Sequence, residues 1–217
     1  MLAATYDNFI EVVTVQVPGG TLLDVACNNG YFPVSASLRG CSRAVGLDPG
    51  SRTILSVSVG ALNAITGAKA EFLSGGYSSD HHLLYTAPDG VNATPFEETF
   101  DIVTNSALLC HMSEPLYFLS TLSRHARRAL LIYSGFIEDD DYLFRYNSVS
   151  NWNVTLPFPN CFNDGTAMSI KLFRESMRLL GFKSVEQIAP PPTGLQDREP
   201  FAAMKRYGTM KAFLCLR

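Results

Sequence analysis

Short apolar runs rich in β-branched residues alternate with amphipathic segments of helix length along most of this chain. That alternation restricts the fold more than any other feature. The runs are Thr21 to Ala26, Ala44 to Asp48, Lys69 to Leu73, Phe100 to Thr104 and Ala129 to Tyr133, then Phe182 to Ile188 and Met210 to Leu216. Their length and composition predict strands. Residues 31–39, 51–65, 115–125 and 168–180 predict the intervening helices, and residues 4–15 predict one ahead of the first strand. Pro33 suits a first helical turn, and Gly181 suits a helix C-terminus. Strands alternating with helices predict an α/β protein with a doubly wound, mostly parallel sheet covered on both faces. Right-handed crossovers set its winding. Only a proline-rich stretch, 190–200, separates the last two strands, which predicts an antiparallel pair at the sheet edge.

Two stretches resist this reading. Ser74-Gly75-Gly76 closes the third strand, and 77–98 carries turn signals at Pro88-Asp89-Gly90 without clear periodicity. Residues 136–167 are rich in Asp, Asn, Pro and aromatics, which predicts an irregular insertion facing an acceptor. Its Tyr142, Phe144, Tyr146, Trp152, Phe158 and Phe162 fit an aromatic lid or ordinary packing. Asp139, Asp140 and Asp141 fit a pocket edge or a helix N-terminal cluster.

At 217 residues with 47% apolar composition, the chain fits a single domain over 1–217. Its net charge of −3 gives no global positive field to attract nucleic acid or anionic lipid. The densest basic cluster, Arg124, His125, Arg127 and Arg128, reads as a solvated helix end or a local patch. Five widely spaced cysteines (Cys27, Cys41, Cys110, Cys161 and Cys215) form no C-x-x-C, so no metal site is expected. No run of about 18 apolar residues occurs, and the N-terminus lacks a signal-peptide pattern. These features predict a cytoplasmic protein with no membrane partner.

The chemistry concentrates at Leu22-Leu23-Asp24-Val25-Ala26-Cys27-Asn28-Asn29-Gly30-Tyr31-Phe32, a strand running through a tight bend into a helix. In doubly wound sheets this bend faces the ligand crevice. Ala26, Cys27 and Gly30 let a ligand approach the backbone, and Asn28 and Asn29 tolerate left-handed conformations. N–H groups at the helix start can meet polar ligand groups. The alternative is an ordinary turn. Asp48 ends the second strand 24 residues after Asp24. A carboxylate there can accept bonds from ribose hydroxyls or cap the next helix. Pro49-Gly50 intervenes and Ser51 can cap instead, which leaves Asp48 for a ligand.

Residues 22–32 resemble motif I of the class I S-adenosylmethionine-dependent methyltransferases, in a Cys-Asn-Asn-Gly-Tyr-Phe variant. Residues 44–48 resemble motif II. Phe100-Asp101-Ile102-Val103, with Leu108-Leu109-Cys110-His111-Met112 and Glu114-Pro115-Leu116, resembles the fourth-strand motif. Met177-Arg178-Leu179-Leu180-Gly181-Phe182 echoes a later one. This variant is similar to the branch holding tRNA wobble-uridine carboxymethyltransferases and small-metabolite methyltransferases. The resemblance implies a seven-stranded sheet of order 3-2-1-4-5-7-6 and S-adenosylmethionine as cofactor. It places Asp24, Ala26, Cys27, Asn28, Asn29, Gly30 and Phe32 around the methionine moiety, with Asp48 and Pro49 at the ribose. Gly75, Gly76 and Tyr77 would border adenine, and Asn105, Ser106 and Ala107 would lie near the transferred methyl. The usual Asp-x-Gly-x-Gly-x-Gly pattern keeps only Gly30, with Ala26 and Asn28 replacing the other glycines.

Transfer from a sulfonium mainly needs the nucleophile positioned. A base is needed only where the acceptor loses a proton. His111 is the candidate base, or a structural histidine. The adjacent His81 and His82 fit a solvated turn. The expected activity is methyl transfer to a small-molecule acceptor. A tRNA-modifying enzyme is disfavoured by the charge balance, and a cofactor-binding module without turnover is a third reading. A nicotinamide enzyme is weaker still, since G-x-G-x-x-G is absent.

Overall fold

Leu22, Leu23 and Val25 are almost wholly excluded from solvent although they point to opposite faces of one strand. Helices therefore cover both sides of the sheet centre. The computed structural model describes residues 2–49, 52–146, 166–189 and 208–217, and the backbone alone at 2–4 and 52–56. In chain order the elements begin with α1 (Leu2–Gln16), β1 (Thr21–Val25), α2 (Tyr31–Leu38), β2 (Arg43–Asp48), α3 (Arg52–Thr66), β3 (Glu71–Ser78), β4 (Leu83–Thr86) and β5 (Thr94–Pro95). They continue with β6 (Phe100–Ser106), a 3-10 turn (Leu109–His111), α4 (Pro115–His125), β7 (Ala126–Ile137), β8 (Phe144–Tyr146), β9 (Thr166–Ser169), α5 (Ile170–Leu179), β10 (Ser184–Ile188) and β11 (Thr209–Leu216).

The sheet order is β10-β11-β7-β6-β1-β2-β3-β4-β5. The seven expected strands stand in the expected order, 3-2-1-4-5-7-6, and the sheet then extends beyond them. β1 lies parallel between β2 and β6, and β11 runs antiparallel to both β7 and β10. One core, including Leu23, Val25, Phe118, Phe136, Phe173 and Phe213, lies under α4 and α5. The other joins Phe9, Ile10 and Val13 of α1 to Leu22, Phe32 and Tyr133. Each such apolar side chain contributes about 1.5–3 kcal/mol on burial. Local signals agree: Ser169 caps α5 by accepting from Leu172 N, and Gly181 follows that helix at φ 90°.

Two expectations are corrected. The third strand does not close at Ser74-Gly75-Gly76: β3 runs on to Ser78 and pairs antiparallel with β4. A Cβ on Gly75 would lie 2.0 Å from Tyr85 O, so glycine here permits a close strand approach rather than ending the strand. The stretch 136–167 is also less irregular than expected. β7 continues to Ile137, and β8 and β9 pair with each other beside it. Trp152, Phe158, Cys161, Phe162, Ser51 and the proline-rich 190–200 lie outside the described residues.

Candidate functional site

Strand β1 hands over to α2 through a bend held in strained backbone. Ala26 and Asn28 adopt φ 62° and 47°, with Gly30 at 76°. For alanine this conformation costs roughly 1–2 kcal/mol, so surrounding bonds must impose it. They do: Ala26 N and Cys27 N both donate to Leu47 O, at 2.8 and 3.2 Å, and Gly30 N donates to Cys27 O at 2.9 Å. The bend is thereby tied to the end of β2. There Asp48 Oδ2 accepts the Asn28 N–H at 2.9 Å. The two features 20 residues apart in sequence thus form one structure, with Asn28 and Asn29 exposed at its mouth. Gly30 begins α2 without a side-chain cap.

Asp24 lies one level below this mouth, 3% exposed. Thr104 Oγ1 on β6 donates to Asp24 Oδ1 at 2.7 Å. Burial, opposed by that bond and reinforced by the nearby Asp48 charge, pushes the Asp24 carboxyl up to about 8. Near neutrality the carboxyl is therefore mostly protonated, and a nearby cation would favour its ionised form.

Other sequence-predicted residues divide by position. Asn105 Nδ2 donates to Val25 O at 2.8 Å, which fixes its side chain beside the bend. Ala107 sits at φ 62°, with its N–H donating to Tyr133 O at 2.7 Å. Gly76 lies against Pro49: a Cβ there would meet Pro49 Cδ at 3.4 Å. His111 ends the 3-10 turn beyond β6 and is half-buried. Three residues turn elsewhere. Cys27 tucks its thiol against Gly46, where a Cβ would stand 2.6 Å from Sγ, and burial raises its pKa far above an ordinary thiol's. Phe32 packs edge-on to Tyr6 at 5.0 Å, behind the bend in the α1 core. Tyr77 packs its ring on Phe118 and holds its hydroxyl 3.0 Å from His82 Nδ1.

Among the described residues, four buried side-chain oxygens have no hydrogen-bond partner: Asn105 Oδ1, Ser106 Oγ, Ser134 Oγ and Thr166 Oγ1. All lie in the C-terminal halves of β6 and β7 or at the start of β9. Buried polar atoms in folded proteins are nearly always satisfied, so these mark where a ligand or water belongs. Thr104, Ser134 and Thr166 escaped the sequence reading. The available signal was a hydroxyl residue inside an otherwise apolar strand, as in Leu131-Ile132-Tyr133-Ser134-Gly135-Phe136.

His81 is exposed and His82 part-exposed in the turn between β3 and β4, but the His82 side chain is engaged. Its ring stacks on Tyr117 at 4.1 Å, and its Nε2 lies 3.7 Å from Glu114 Oε2. The basic cluster is partly consumed internally: His125 is buried against Glu98 O, Arg127 pairs with Asp101, and Arg124 donates to His82 O. Among the described residues no cluster of metal ligands occurs, and no helix is long and apolar enough to cross a membrane.

A family model described as a methyltransferase domain matches residues 4–186. The chain belongs to this methyltransferase family. As a class I methyltransferase it is similar to solved structures at the level of fold. One is magnesium protoporphyrin IX methyltransferase from Synechocystis PCC 6803 with bound S-adenosylmethionine (TM-score 0.61, 11% identity, 99% of this chain and 79% of that one). Another is Burkholderia thailandensis 1,6-didemethyltoxoflavin-N1-methyltransferase with bound S-adenosylhomocysteine (TM-score 0.58, 15% identity, 99% and 78%). In sequence the methyltransferase is similar to a tRNA U34 carboxymethyltransferase of Campylobacter hominis, 26% identical over 138 residues, or 63% of this chain and 43% of that protein. It thus spans less than half the length of that curated relative.

Proposed function

We propose that this methyltransferase binds S-adenosylmethionine between the β1–α2 bend and the end of β6, and transfers its methyl group to a small-molecule acceptor. The observation that carries this reading is the joining of the strained bend to Asp48, beside the orphaned Asn105 Oδ1 and Ser106 Oγ. These groups fit the cofactor's chemistry. A carboxylate at a strand end accepts from vicinal hydroxyls, the raised Asp24 answers a cationic centre, and unpartnered oxygens answer an ammonium or polarised C–H groups. Asp24, Ala26, Asn28, Asn29, Gly30, Asn105, Ser106 and Ala107 would hold the methionine end, with Asp48 and Pro49 at the ribose and Gly75 and Gly76 at the base. Cys27, Phe32 and Tyr77 contribute backbone or support rather than side-chain contact. Bound there, the cofactor supplies an electrophilic methyl on a good leaving group. The chain's residues orient the acceptor in line and exclude water. His111 takes the proton where the acceptor must lose one.

The charge pattern favours a small acceptor. The net charge is −3, and Arg39, Arg43, Arg127, Arg178 and Lys211 are each paired with carboxylates of this chain, so these five are not open to a phosphate backbone. The match to a tRNA-modifying relative supports a second reading, in which tRNA is the acceptor. Calorimetry with S-adenosylhomocysteine tests the cofactor, and transfer of labelled methyl to a metabolite panel or to bulk tRNA separates the acceptors. Absence of S-adenosylhomocysteine binding at millimolar ligand overturns the enzymatic reading, and salt-sensitive tRNA retention on filters replaces the small acceptor with RNA.

A further inference from the structure

A polar row crosses one face of the sheet at its far end, between apolar rows. Ser134 pairs across β11 with Lys211, and Thr166 pairs across β8 with Tyr146. β7 and β9 pair in parallel at Phe136–Met168 and Ile137–Ser169, and Ser134 and Thr166 each lie two residues before that ladder begins. Phe136 and Met168 belong to the core under α4 and α5, and strand alternation puts Ser134 and Thr166 on that same face. Their residues are 0% and 2% exposed, yet neither hydroxyl bonds to the other or to any other group. Buried hydroxyls are rarely left unsatisfied, and two of them at this end of one sheet face mark a place where hydrogen-bonding partners are missing. The rim belongs to the loop around His111: Tyr146 donates from its hydroxyl to Ser113 O at 3.2 Å, two residues past His111.

The row also limits what can enter. Lys211 is the cation nearest in register, and its Nζ is held by Glu138 Oε1 at 2.6 Å with the lysine side chain 15% exposed. An anion would meet that carboxylate, and a cation would meet the ammonium. Hydroxyls both donate and accept and do not offset a full charge in a dry site.

We propose that Ser134 and Thr166 form the acceptor subsite of the methyltransferase and recognise an uncharged group that both donates and accepts hydrogen bonds, such as an alcohol or a carboxamide. This rests on the methyltransferase reading above and names its substrate class. Saturation-transfer NMR with saturating S-adenosylhomocysteine tests it, using acetamide and methyl glucoside as neutral probes and acetate and methylammonium as charged ones. The proposal expects the neutral probes to bind the wild type, the charged ones to bind poorly, and the Ser134→Ala/Thr166→Val variant to lose about tenfold in neutral-probe affinity, the loss of about 1.4 kcal/mol. S-adenosylhomocysteine affinity stays unchanged in the same variant. Equal neutral-probe binding by wild type and variant, or tighter binding of a charged probe, overturns the subsite. Should the double variant fail to fold, Ser134→Ala alone removes one hydroxyl with the least change and reads the same comparison. Loss of S-adenosylhomocysteine binding by the wild type would instead sink the cofactor reading. The probe comparison, repeated without it, then judges the subsite by itself.

Discussion

At the β1–β2 end of the sheet Asp24 and Asp48 are each held by a hydrogen bond from this chain, whereas at the β7–β9 end Ser134 and Thr166 hold none. The first region is organised before any ligand arrives. Its bend is strained and its two aspartates are held in place, although Asn105 Oδ1 and Ser106 Oγ beside it are unpartnered. The second leaves neutral oxygens waiting in a dry environment. The contrast teaches that one scaffold can fix some polar groups before any ligand arrives and leave others unpaired.

The largest effect that can break the comparison is a pH dependence at Asp24. Its carboxyl ionises near 3.8 when unfolded and at about 8 when folded. Between those values the folded state carries the extra proton. Its stability contribution is whole below pH 3.8 and is lost as pH rises towards 8. Thermal melts of ligand-free protein from pH 5 to 8.5 should fall steadily, and Asp24→Asn should flatten that slope. An unchanged slope would mean that the first region is not electrostatically loaded. Next comes Asp48→Ala, which removes the acceptor of Asn28 N–H and the proposed ribose contact. Calorimetry should show S-adenosylhomocysteine affinity falling by about ten- to a hundredfold, as expected for charge-assisted bonds of about 1.5–3 kcal/mol.

Paired hydroxyl deletions sharpen the contrast further. Thr104→Val takes the hydroxyl donor from buried Asp24 and should cost about 1–3 kcal/mol in chemical denaturation. Ser134→Ala removes an atom with no partner and should be neutral or stabilising by less than about 1 kcal/mol. Equal costs at the two sites would erase the distinction. The smallest effect is Ala26→Gly, which relieves a left-handed alanine. Stability should rise by about 1 kcal/mol, with S-adenosylhomocysteine binding no weaker.

Much of the architecture was legible because strands buried on both faces write themselves as continuous apolar runs, as Leu22 to Val25 and Phe100 to Val103 do. Gly75 and Gly76 misled for a physical reason. A glycine reads locally as a breaker, and only the approach of Tyr85 O shows that β3 needed one. Where the Phe32 ring would point was not legible, because a helix start exposes two faces; folding put it behind the bend against Tyr6.

The chain's own pattern determined the succession of strands and helices, the bend after β1 and the carboxylate closing β2, since these depend on local periodicity and turn chemistry, whereas the lateral order of the strands was implied by the family resemblance. Which polar groups found partners was decided only by folding. Asp24 met Thr104 across 80 residues, while Ser134 and Thr166 were buried with nothing to bond. Hydrogen bonds at that sequence distance depend on register between strands, and no local pattern records it.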